Sequence, residues 1–242
     1  MNFGEIKAFL KSIVRDQSLA PHFDRQINGA ISEISAELEL PDLKIVTPFP
    51  LSVDKTNWLW QMPDAYHKML YEVRRSGEPH WRRVHICDHI EELNYRDPEH
   101  KRIGPHVEIV AVADQGVPKL GQRSFLGIHP LPWQQETLQL WFYRKPTILV
   151  DEQDICDCIP PEFVRRVIIP KCIVMNFEAF TDGIEDGPMR SLPYWENKYL
   201  IGLNGESRGE SGLKDYIAKR RGGPKRTGGR DPIGARRRYG SI

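Results

Sequence analysis

Three groups of residues in this chain carry enough reactive chemistry to be read first. His85-Ile86-Cys87-Asp88-His89 would place His85, Cys87 and His89 on one face of a strand, where imidazole and thiolate suit a transition metal. Cys156-Asp157-Cys158 would add two thiolates. Structural zinc sites favour a wider cysteine spacing, which lets the ligands close a tetrahedron, and Cys-x-Cys fits that poorly. The plainer reading is polar residues on a strand, with cysteines acting as small apolar core groups. No metal ligand and no cofactor is therefore assigned. The third group is basic: Lys219, Arg220, Arg221, Lys225, Arg226, Arg230, Arg236, Arg237 and Arg238 crowd the C-terminal end.

Catalytic signatures are missing from the sequence. It has no nucleophile elbow, phosphate loop, dinucleotide fingerprint or zinc-protease helix motif. Gly222-Gly223-Pro224-Lys225-Arg226-Thr227 has the composition of a phosphate loop without its spacing or a strand before it. Glu91-Glu92 and the Asp97/Glu99 pair lie in polar, turn-like stretches and read as solvated carboxylates. The chain is expected not to be an enzyme, and no catalytic residue is named.

The elements that position these groups follow from periodicity. Phe3, Ile6, Leu10, Ile13 and Val14 recur at helical steps. Ser18 and Pro21 open a second helix carrying Phe23, Ile27, Ala30, Ile31, Ile34 and Leu38. From about residue 44 the period drops to two. Trp58, Trp60 and Met62 alternate, as do Met69, Tyr71 and Val73, and Leu138, Leu140 and Phe142. Turn signals divide these strands at Met62-Pro63-Asp64, Ser76-Gly77-Glu78-Pro79, Ile103-Gly104-Pro105, Asp114-Gln115-Gly116 and Pro130-Leu131-Pro132. Helical period returns after Pro160-Pro161, with a kink expected at Pro170 and a last helix after Ser191.

The resulting expectation is an α+β fold: an α-helical bundle made from N- and C-terminal helix pairs, with an inserted antiparallel β region and an extended basic C-terminal arm. Its parts are 1–43, the N-terminal helix pair; 44–157, the β-rich insert; 158–208, the C-terminal helix pair; and 209–242, a flexible arm. Residues 219–242 carry nine Lys/Arg against Asp231, a net +8, so the other residues sum to −7 within a chain of formal charge +1. The tail has six glycines and two prolines and few apolar residues, too few to offset the entropy of ordering. Disorder is expected from near Asn204-Gly205. Such an arm suits an acidic protein surface or a phosphate backbone. Four cysteines in a chain without a secretory signal do not read as a disulfide framework. No run of eighteen apolar residues is present, so no membrane span is expected.

The order of elements resembles the head-to-tail adaptor (connector, neck or head-completion) proteins of tailed bacteriophages. The residues that carry the resemblance are the helices Phe3–Arg15 and Phe23–Leu38, with Asn28 in the middle of the second, and the strand and proline Trp58-Leu59-Trp60-Gln61-Met62-Pro63-Asp64-Ala65-Tyr66. They continue with Ile128-His129-Pro130-Leu131-Pro132, then Leu138 to Pro146 ending in Tyr143-Arg144-Lys145-Pro146, and Ile159-Pro160-Pro161-Glu162-Phe163 opening the third helix. In that family these are fold markers and none is catalytic. The resemblance implies a structural virion protein at the head-tail junction, assembled in the host cytoplasm as a homo-oligomeric ring, usually of twelve copies. Its partners would be the portal protein and tail, nozzle or tail-tube proteins. Packaged DNA would pass through its channel without sequence-specific binding, and no membrane would be involved. The C-terminal arm would dock on the portal, with the nine basic residues above as its contacts. The competing reading is a nucleic-acid-binding protein that uses an Arg/Gly-rich tail, whose affinity would fall steeply with salt.

Overall fold

The fold was analysed in a computed structural model, which describes residues 1–14, 17–53, 56–76, 83–117, 121–180, 191–206 and 211–220. The chain opens with helix α1 (Phe3–Ile13). Asn2 caps it: its side chain accepts from the Glu5 amide while Glu5 reaches back to the Asn2 amide, so two of the unpaired donors of the first turn are satisfied. A short 3-10 turn leads into α2 (Phe23–Glu37), whose face of Phe23, Ile27, Ala30, Ile31 and Ile34 is buried.

Among the described residues nine strands follow, with one short helix among them. They are β1 (Lys44–Leu51), β2 (Leu59–Gln61), β3 (Tyr66–Arg75), β4 (His85–Cys87), β5 (Ile103–Gly104), β6 (Ile109–Val117), β7 (Gly121–His129), β8 (Leu131–Pro132) and β9 (Glu136–Arg144). Helix α3 (Glu91–Arg96) lies between β4 and β5. The strands form three sheets, ordered β1-β9-β3, β2-β7-β6-β4 and β5-β8. Strand β1 is an edge of the first sheet, where Pro48 and Pro50 cost no central ladder bond.

The C-terminal helices begin at α4 (Pro161–Phe163), which runs through a π-helical stretch at Val164–Ile168 into α5 (Ile169–Phe180). Pro170 therefore sits just past a change of helical register, because it has no N–H to give the Arg166 carbonyl four residues back. Helix α6 (Leu192–Asn204) packs on this stretch through Gly202; a Cβ there would overlap that same carbonyl. Helix α7 (Leu213–Arg220) closes the described chain.

The expected helical bundle with a β insert is not what forms. The fold is mixed α/β with three sheets, about 42% of the described residues being helical and 30% strand, and the sheets make a main part of the core. The expectation of antiparallel pairing fails at two places: β4 pairs parallel with β6, and β5 pairs parallel with β8. Asp114-Gln115-Gly116 is no turn but lies inside β6, and Ile103-Gly104 is β5. Glycine, proline and aspartate mark turns only while no neighbouring strand claims their backbone, and here β7 and β8 do. The extended arm is also corrected. Residues Leu213–Arg220 are helical, because Leu213, Tyr216 and Ile217 give them an apolar face.

Strand β9 joins the two halves of the core. Leu138, Leu140 and Phe142 point into a cluster with Leu51, Val73, Val110 and Leu126. Tyr143 points the other way, into the helical cluster of Phe3, Ile27, Ile31, Phe163 and Val167. In β3, register shifts between Tyr66 and Glu72, with Met69 at φ 52°, upset simple alternation: Met69 is exposed, while Leu70 and Val73 are buried.

Candidate functional site

The basic C-terminal segment is carried by α7, and the sequence of the last two helices explains how. Helix α6 ends at Gly205, whose φ of 86° suits glycine and whose amide donates to the Ile201 carbonyl at 2.7 Å. A bridge between Gly205 and Ser211 turns the chain back onto the body. Leu213 and Ile217, one helical turn apart, are buried in the helical core, and the Tyr216 ring meets the Phe163 ring at 5.5 Å. The end of the helix is clamped by Arg220. Its guanidinium donates to both carboxylate oxygens of Asp42, at 2.7 and 2.9 Å, and lies over the Tyr216 ring. The hydrogen bond and the charge of Asp42 raise Arg220 above even its ordinary high range.

Of the nine predicted contact residues, Lys219 and Arg220 are exposed at the last turn of α7. Arg220 is engaged with Asp42, just before β1, a pairing across the chain that no local pattern signals. Arg221, Lys225, Arg226, Arg230, Arg236, Arg237 and Arg238 lie outside the described residues. Disorder expected from Asn204-Gly205 does not begin there, since residues 211–220 return to the core.

A second constellation surrounds the segment between β9 and α4. Asn28 in α2 donates to the Leu149 carbonyl at 3.0 Å, and its side-chain oxygen accepts from the Leu149 amide at 2.8 Å. Arg144 donates to Asp157, which also accepts from the Thr147 hydroxyl at 2.7 Å. Burial works to raise the Asp157 carboxyl, but the bonds from Arg144 and Thr147 outweigh it and hold it below the usual range. Asp154 accepts from the Val150 and Asp151 amides, while its own carbonyl takes the Phe3 amide at 2.7 Å. Asn28, Arg144 and Asp154 thus tie this segment to the first helices and the sheet.

The predicted metal candidates do not converge. Cys87 is buried beside Leu93, Ile109 and Ala111, whereas His85 and His89 are exposed. Cys156 and Cys158 belong to the helical cluster instead. Among the described residues no group of three or more His, Cys, Asp or Glu side chains could hold a metal ion. Trp58 stacks on His100 with ring centroids 3.6 Å apart. Trp141 lies under Arg74 and Trp133 is largely exposed, while Trp81 is outside the described residues.

An open groove of about 460 Å³ lies between β2, β3 and the ends of β6 and β7, lined by Gln61, Tyr66, His67, Asp114, Arg123 and Lys145. Its polar groups serve each other: Ser124 donates to Asp114, and Arg123 donates to Gln61 at 2.7 Å. Burial, then the Asp114 charge, pushes Tyr66 up to about 12, so its phenol stays protonated. Burial first, then Lys68 and Lys145, lower His67. A neutral imidazole, a protonated phenol and the Ser124–Asp114 hydrogen bond make a polar wall.

The chain matches no protein-family model and no curated protein.

Proposed function

We propose that this chain is a structural ring adaptor between the portal and the tail of a tailed bacteriophage, docking on the portal through its basic C-terminal residues. The observation that carries the proposal is the seating of α7. Its apolar face is buried in the body and its last turn is clamped to Asp42, so the nine basic residues start from a fixed point on the surface. A tethered segment binds at high effective concentration once its body is docked. It can also wrap an acidic partner, and ring symmetry multiplies each such contact. The remaining residues, with net charge −7, suit a wall past which DNA must slide, since a strongly basic wall would hold phosphates tightly. Two marker residues of the adaptor resemblance act here as structural ties, Asn28 to Leu149 and Arg144 to Asp157.

The test is native mass spectrometry of the full-length chain mixed with the portal protein from the same genome. Addition of one copy per portal subunit is expected. Absence of any portal complex, together with duplex DNA binding that weakens steeply with salt, would replace the adaptor with the nucleic-acid-binding reading.

A further inference from the structure

We infer that Cys156 and Cys158 form a dithiol site that undergoes thiol-disulfide exchange with small-molecule disulfides, closing an internal Cys156–Cys158 bond. Their Sγ atoms lie 3.5 Å apart, the closest approach between cysteines in the described residues. They flank Asp157 on a stretch with neither helix nor sheet ladder. Exposed Ile155 and Asp157 bracket Cys156, which is the more accessible of the two cysteines, at 7% against 1%.

The two thiols share one favourable proton arrangement. With Cys156 as thiolate, Cys158 Sγ–H donates to it; that bond lowers Cys156 and raises Cys158, and burial opposes the first shift and adds to the second. Cys156 is therefore the attacking sulfur. Its thiolate displaces one thiolate from the small-molecule disulfide and forms a mixed disulfide. Cys158 then gives up its proton and attacks Cys156 Sγ, expelling the second thiolate. The cysteine pair loses two electrons and two protons, and the small disulfide becomes two thiols. Cys87 and Cys172 are excluded by their surroundings. Burial first raises both, Cys87 to about 11, and Cys172 is enclosed between α2 and α5 with its thiol directed to the Gln26 carbonyl.

The same stretch holds the N-terminus of α1, through Phe3 to Asp154, Gly4 to Glu152 and the Asn2–Ile155 bridge. Oxidation would thus act where the first helix is fastened to the body. This inference does not depend on the adaptor reading.

The experiment is incubation of the folded full chain with oxidised glutathione, followed by alkylation and mass mapping. The expected product has lost two hydrogens, both from the peptide containing Cys156 and Cys158, and dithiothreitol restores it. Cys158→Ser should instead hold one glutathione on Cys156. Both cysteines staying reduced in the folded chain while they oxidise in urea would overturn the inference, and so would a wild-type adduct that persists without ring closure. The wild-type result decides even if the variant fails to fold.

Discussion

On the helical side, polar side chains are used inside the packing. Gln26 and Asn176 are hydrogen-bonded between α2 and α5, Asn28 grips both backbone groups of Leu149, and Lys68 reaches the Ala36 and Leu38 carbonyls. On the β side, charged side chains mostly meet one another. Glu72 pairs with Arg74 and Arg83, and Glu136, largely buried, meets Arg75 and His106. Ladder hydrogen bonds already satisfy a sheet's backbone, whereas a loop lying against helices must find partners among side chains. The helical half thus depends on a few specific polar ties, and the β half on apolar burial and continuous pairing.

The largest effect should come from emptying either core. Ile27→Ala and Leu140→Ala should each cost about 3 kcal/mol. Because adjacent Phe142 and Tyr143 face opposite cores, both variants should lower one common calorimetric transition. Two separable transitions would show that the halves are independent domains. Next comes the polar tie. Asn28→Ala leaves the buried Leu149 amide and carbonyl unmatched and should cost about 2 kcal/mol in denaturant unfolding. A cost near zero would remove the contrast drawn between the halves.

Acid should act on the β half first. Burial lowers His100 and His129 below the ordinary 6.5, with Asp97 opposing in both. The unfolded chain then takes up protons at a higher pH than the folded one. Their contribution is fully present above about pH 6.5 and is lost as pH falls toward the folded values. Asp97 and Asp157 are both held below 3.8, so their contribution is lost only at still lower pH. Melting temperature should fall as pH drops below about 6.5, and His129→Gln should flatten that fall. An unchanged slope in the variant would assign the acid sensitivity elsewhere. The smallest effect belongs to the exposed clamp. Asp42→Ala should speed amide hydrogen exchange in the last turn of α7 while leaving the global melting midpoint in place.

Much of the helical half is legible in the sequence, because its apolar residues recur at three and four along segments long enough to leave no other reading. Strand β9 is legible for the same reason at period two. Pairing is not: nothing local to His85–Cys87 announces a parallel partner in Ile109–Ala111, and nothing near Ile103 points to Leu131. Helix α7 escaped because the basic composition of residues 219–242 coloured the whole end of the chain, although Leu213 and Ile217 already stood one turn apart. The ties Arg220–Asp42 and Arg144–Asp157 are partnerships made by the fold, and single residues do not name their partners.

The helix also decides how the central proposal is best tested. Cutting before α7 would strip Leu213 and Ile217 from the core, so the informative truncation ends at Arg220. Full-length chain and residues 1–220 should be compared for binding to the portal protein, with the melting curve of each recorded alongside. Equal melting and loss of portal binding are expected in the truncated chain. Undiminished binding by residues 1–220 would contradict it.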